Sequence, residues 1–122
     1  MVTGTARHAR GKVLLVAGGA GIRPMRGLFR SLSGAVTLIY LVRTADQMLF
    51  ADELTALADR PGRRLHILLG SERFSTAGLR LLVPDAAEHD AYVCGPTALV
   101  ADATAALHGA GVRGDRIQIL NL

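Results

Sequence analysis

The chain has 122 residues, half of them hydrophobic and a fifth charged, with a formal net charge of +4; that suffices for one globular domain with one core and not for two. Cys94 is the only cysteine, which excludes an intrachain disulfide and agrees with a reducing, cytoplasmic compartment, and no stretch approaches the roughly 20 apolar residues of a membrane helix or the pattern of a signal peptide. The basic residues are almost all arginine and lie scattered, with no stripe and no interleaved aromatics to stack bases, so nucleic acid is not an expected partner.

Residues 1–11 are polar and basic without periodicity and read as a linker or the start of a fragment; residues 12–122 read as the domain. Val13 to Ala17 is a continuous apolar run, as in a strand buried on both faces of a parallel sheet. Gly18, Gly19 and Gly21 follow at once. Pro24 then opens a helix with Met25, Leu28, Phe29 and Leu32 on one face, since proline suits a first helical turn. Ser33-Gly34 stops it, with Gly34 as a left-handed cap. Val36 to Val42 is a second strand, and Arg43 sits just past its end. Thr44 and Gln47 match a capping box for a second helix carrying Phe50, Leu54, Leu57 and Ala58, ended by Arg60-Pro61-Gly62.

Leu65 to Leu69 makes a third strand, with Gly70-Ser71-Glu72-Arg73 as the loop beyond it. Leu79, Leu82 and Val83 mark a short helix closed by Pro84, and Asp85 and Glu88 fit another capping box. Ala91 to Cys94 is the fourth strand, broken by Gly95-Pro96. Leu99, Ala103, Ala106 and Leu107 mark a long alanine-rich helix, and Arg116 to Leu120 the fifth strand. Strands alternating with helices imply right-handed βαβ units and an α/β fold with a parallel sheet covered on both faces.

In such a sheet, ligands bind beyond the carboxyl ends of the strands, where the strand order reverses. The glycine turn, Arg43, the Ser71–Arg73 loop and Cys94-Gly95-Pro96 all fall at that edge. Glycine lets a backbone turn sharply and approach a ligand, and a helix N-terminus offers unpaired N–H groups and partial positive charge. Together they suit an anion, most often a pyrophosphate. The competing account is a tight strand-to-helix turn with no ligand, because proline stands where the dinucleotide fingerprint has its third glycine. Cys94 reads as a soft, polarizable group at that rim or as a small buried hydrophobe. No base accompanies it, so it is not a covalent nucleophile. The histidines are dispersed and give no metal-ligand spacing.

Ala17-Gly18-Gly19-Ala20-Gly21-Ile22-Arg23-Pro24 resembles the AGGxGITP motif of the ferredoxin–NADP reductase family. Leu49-Phe50-Ala51-Asp52-Glu53-Leu54 resembles its LFxxEL helix, and Tyr92-Val93-Cys94-Gly95-Pro96 its YxCGP motif. The stretch LVPDAAEHDAYVCGP is further similar to the bacterial ferric-reductase-like branch, in which a membrane haem domain and an FAD domain accompany this module. The resemblance implies an NAD(P)H-binding domain of a flavin-dependent reductase, with a three-layer α/β/α fold and a five-stranded parallel sheet in order 3-2-1-4-5. NADPH or NADH would set its pyrophosphate on Gly18, Gly19, Ala20, Gly21, Ile22, Arg23 and Pro24. Cys94, as the catalytic candidate, with Gly95 and Pro96, would face the nicotinamide. Hydride would pass to FAD in a preceding domain absent from this chain, and electrons on to haem, an iron–sulfur centre or another acceptor. The full protein would be cytoplasmic or lie on the cytoplasmic face of a membrane.

Arg43 stands where NAD-specific sites carry an acid for the ribose 2′-OH, and an arginine there suits a 2′-phosphate. Arg73 is a second candidate clamp, and Asp46 nearby keeps NADH open. Arg23 stands where the family has threonine. The chain ends Leu120-Asn121-Leu122 where the family usually has a glutamate and an aromatic. That difference motivates the alternative, a domain that binds nucleotide or a partner protein without catalysis.

Overall fold

The apolar run at the start of the domain forms β1 (Lys12–Gly18), the central strand of the sheet. The computed structural model describes residues 11–70 and 74–121. The linker reading of residues 1–10 and the candidate clamp Arg73 lie outside the described residues.

After β1 come α1 (Ile22–Ser31), β2 (Ala35–Val42), α2 (Ala51–Ala58), β3 (Arg63–Leu69), α3 (Thr76–Leu82), β4 (His89–Cys94), α4 (Thr97–Gly109) and β5 (Ile117–Ile119). All pairings are parallel and the order is β3-β2-β1-β4-β5, as the sequence predicts. The register aligns Ala17 with both Tyr40 and Cys94, so β1, β2 and β4 end together.

Strand alternation divides the core in two. Val13, Leu15 and Ala17 join Met25 and Phe29 of α1 and Leu54 and Leu57 of α2. Leu14 and Val16 join Leu79 of α3 and Ala103, Ala106 and Leu107 of α4. Burial on both faces explains why β1 shows no polar alternation. Among the described residues, no helix is long and apolar enough to cross a membrane.

Several local expectations are corrected. The helix after β1 starts at Ile22, preceded by a 3-10 turn over Gly19–Gly21, so Pro24 is its third residue. Proline is still tolerated there, because the first turn's N–H groups lack intrahelical partners. Gly34 does take a left-handed φ of 84°. It is not the helix cap, however: α1 already ends on extended Leu32. Its last carbonyls are instead taken by Arg63, whose guanidinium donates to Phe29 O at 2.7 Å, Gly34 O at 2.8 Å and Leu32 O. Thr44 caps a 3-10 turn over Ala45–Gln47 without a side-chain bond, and α2 begins after Phe50. Asp85 and Glu88 form no capping box either. Both carboxylates hold the Lys12 ammonium, at 2.6 and 3.1 Å, closing the amino end of β1 onto the turn before β4.

Candidate functional site

At the carboxyl ends of the strands, the turns after β1 and β4 lean on each other. A Cβ at Gly95 would lie 2.6 Å from Leu99 Cδ2 and 3.1 Å from Gly18 O, and one at Gly18 would lie 2.5 Å from the same leucine carbon. A Cβ at Gly21 would collide with the backbone carbonyl of Cys94. Gly21 is therefore required by turn-on-turn packing, whereas at Gly18 and Gly95 the nearest atom is the end of the flexible Leu99 side chain. Gly19 differs: its φ is +54°, and its nearest neighbours beyond the chain are Pro96 carbons at 3.8 Å. It is exposed, as is Ala20. Here the backbone is open to a ligand.

Beside this turn lies a cleft of about 500 Å³, within the range of small-molecule sites. Gly18 and Gly19 form one wall, Leu41, Val42 and Arg43 a second, and Phe74, Pro96, Leu99 and Asp102 complete it. Four of the expected residues thus meet at one opening: Gly18, Gly19, Arg43 and Pro96. Arg43 is exposed, and no carboxylate among the described residues is bonded to it. The mostly apolar walls suit a nucleoside, and the exposed arginine an anion on it.

The other expected residues that the structure describes stand outside the cleft. Ile22 is fully buried in the core, so only its backbone belongs to the turn. Its N–H turns back onto the Gly19 and Ala20 carbonyls. Arg23 is exposed on the first turn of α1 and Pro24 is half-buried. No acidic residue occupies that first turn, so the positive end of the helix dipole is uncompensated there. Cys94 is 0 % exposed and packs with the layer under α1 and α2. Burial pushes its thiol pKa up, so it is a neutral core group. It does not line the cleft, whose Leu41 and Phe74 belong to the other face of the sheet. The sequence reading placed Cys94 at the correct edge but could not tell which face its side chain takes.

Phe74, Leu99 and Asp102 were missed. Leu99 carried a signal: it is the first large apolar residue after Gly95-Pro96, at the start of a helix that enters from the rim. Phe74 follows the loop after β3 with no pattern of its own. A further group missed lies next to the turn: Phe50, in a left-handed backbone, with Arg23 and Arg26 against its ring.

The oxidoreductase NAD-binding domain family model matches residues 15–105. The chain is 35% identical over 114 residues to the ferredoxin reductase component of 3-ketosteroid-9-alpha-monooxygenase from Mycolicibacterium smegmatis, covering 87% of this chain and 32% of that protein. It is 36% identical over 113 residues to the ferredoxin–NAD(+) reductase component of the alkene monooxygenase system of Xanthobacter autotrophicus, covering 80% and 34%. The chain therefore spans about a third of the length of these curated relatives. Among solved structures, the CS-b5R domains of human Ncb5or in the NAD+ form superpose with a TM-score of 0.78 at 18% identity, covering 96% of this chain and 38% of that one. That likeness shows the fold.

Proposed function

Because the chain belongs to the oxidoreductase NAD-binding domain family, we propose that it is the NAD(P)H-binding module of a flavin-dependent electron-transfer reductase, with the flavin on a separate domain. The observation that carries this reading is the cleft at the carboxyl rim, where Gly18, Gly19, Arg43 and Pro96 converge. Bound here, NAD(P)H would supply a hydride equivalent for a flavin on the separate domain, and the electrons would serve an oxygenase, haem or iron–sulfur partner.

This chain's own residues bind and orient. The open backbone at Gly19 and the start of α1 take the pyrophosphate, with Arg23 adding charge where the family has threonine. Leu41 and Phe74 would hold the adenosine half in the cleft and Arg43 its 2′-phosphate. Gly95 and Pro96 would border the nicotinamide half. Cys94 supports that turn from beneath: its carbonyl packs on Gly21 while its thiol fills the core. NADPH is the preferred cofactor, since a guanidinium with no carboxylate partner among the described residues suits the 2′-phosphate. Residues 12–122 form the binding domain, and the full-length protein works at the cytoplasmic side.

Calorimetric titration of the 122-residue chain with NADPH and NADH tests the reading. Both bind, NADPH more tightly; no binding of either at millimolar concentration defeats it. Arg43→Gln weakens NADPH about tenfold, the loss of one charge-assisted contact, and leaves NADH within about twofold. Equal loss for both cofactors removes the 2′-phosphate assignment. NADPH oxidation by the flavin-loaded, full-length protein separates a reductase from a domain that binds nucleotide without catalysis.

A further inference from the structure

The cofactor reading leaves a cluster beside the glycine turn unexplained. Phe50 is the only non-glycine residue with positive φ among the described residues, at φ 60° and ψ 28°. A bulky residue pays for that conformation in strain, which persists only where the surroundings enforce it. Two of those surroundings are visible. The Leu49 N–H donates to the Tyr40 hydroxyl at 3.0 Å, tying the segment before Phe50 to β2. The Phe50 carbonyl then accepts the Leu54 N–H at 2.9 Å, starting α2 directly.

Two cations lie against the ring so placed. The Arg26 guanidinium carbon is 4.4 Å from its centroid and that of Arg23 is 6.0 Å away, both within cation–π reach. They are not equivalent. Arg26 Nη1 donates to Glu53 Oε1 at 3.1 Å, so its charge is balanced. Arg23 is exposed and has no carboxylate bonded to it among the described residues. It sits on the first turn of α1, two residues after Gly21. The ring thus lies against one neutralised arginine, which fixes it in place, and within reach of one arginine whose charge no carboxylate among the described residues balances.

We propose that Phe50 is a positioning residue for the dinucleotide phosphates: its ring, held by its left-handed backbone and by the Arg26–Glu53 pair, restrains the Arg23 guanidinium beside the glycine turn. A flexible arginine gives up rotamer entropy when it grips an anion, and a ring that already restrains it reduces that loss. This rests on the proposed NAD(P)H site and deepens it. It accounts for a strained aromatic at the head of α2, and for the replacement of a short threonine by a long cation.

The test is a double-mutant cycle on the 122-residue chain, read by calorimetric NADPH affinity at two salt concentrations. Phe50→Asn removes the ring and tolerates a left-handed backbone, so the fold is kept. Phe50→Leu keeps apolar bulk without the π face, and serves if the first variant melts. Either weakens NADPH about three- to fivefold, the scale of an exposed cation–π contact, and Phe50→Tyr restores wild-type affinity. Arg23→Gln weakens binding and flattens its salt dependence. In the Arg23→Gln background, removal of the ring costs nothing more. Unchanged affinity in the ring variants, or equal losses with and without Arg23, overturns the positioning role while leaving the site intact. Failure of the wild-type chain to bind NADPH overturns the site itself.

Discussion

The two edges of the sheet are built on opposite rules. At the amino edge, charge is consumed internally. Lys12 is held by Asp85 and Glu88, Arg116 by Asp90 at 3.0 Å with the Ala87 and Glu88 carbonyls beside it, and Arg63 by three carbonyls at the end of α1. At the carboxyl edge, Arg23 and Arg43 stay exposed with no carboxylate bonded to them among the described residues, and backbone replaces side chain at the glycine turns. One edge is closed by its own contacts and the other stays open, at the end where parallel α/β sheets bind ligands. The contrast also sorts the basic residues: a net positive chain need not be a polyanion binder when much of its arginine is already spent on its own carbonyls and carboxylates.

The sharpest way to break that contrast is within the carboxyl edge, where tight and open glycines adjoin. Gly21→Ala drives a Cβ into the Cys94 carbonyl, a backbone group that cannot swing aside. We expect a loss of about 3 kcal/mol, at the upper end for overpacking, seen as a melting temperature lower by roughly 10 °C. Gly19→Ala meets no atom nearer than Pro96 at 3.8 Å and pays only for its φ of +54°, about 1 kcal/mol, yet it crowds the ligand. The first variant is therefore a stability mutant and the second a binding mutant. Similar melting temperatures for the two would dissolve the distinction.

At the amino edge the expected effect is smaller and the reverse in kind. Arg116→Met deletes a charge-assisted bond to Asp90, which is 3 % exposed, at about 2 kcal/mol. NADPH affinity stays within about twofold, because the pair lies at the amino end of β4, remote from the cleft. Weakened binding without loss of stability would show that the edges are coupled.

What the sequence makes legible divides along the same line. Local signals were sufficient for the alternating strands and helices and for the carboxyl rim: an unbroken apolar run, a glycine turn, and an arginine just past β2; the strand order followed from the family resemblance of the motifs. Contacts between distant segments were not readable. Nothing near Gly21 announces that it must fit against Cys94, more than seventy residues later in the chain. Asp85 and Glu88 carry capping-box spacing, yet Lys12 wins both carboxylates. Thr44 carries it too, but the Tyr40 hydroxyl claims the Leu49 N–H and delays α2 past Phe50. The left-handed Phe50 is the least legible feature, since aromatic residues avoid that conformation and only tertiary contacts impose it. Cys94 was placed at the right edge because motif and strand end agree there. Its face depended on register, where a shift of one residue reverses every side chain.

The smallest predicted effects are pH-dependent, and their signs separate a lone group from a paired one. The Nε2 atom of His66, on the edge strand β3, is buried without a hydrogen-bond partner. Burial, and secondarily the charge of Arg64, hold its pKa below the ordinary 6.5. Between that folded value and 6.5 the unfolded chain binds more protons, so stability rises with pH in this window. Acidification therefore begins to lower the melting temperature just below about pH 6.5. Asp85 acts further down: the hydrogen bond from Lys12 holds its carboxyl below the usual 3.8, against the opposing effect of burial. Its contribution is present above 3.8 and disappears as pH falls through the folded value. Melting curves from neutral to strongly acidic pH should then show two declines. His66→Gln removes the upper one and spares the lower, while Lys12→Met does the opposite. If His66→Gln leaves the upper decline unchanged, another group titrates there, and the unpartnered ring on β3 does not govern it.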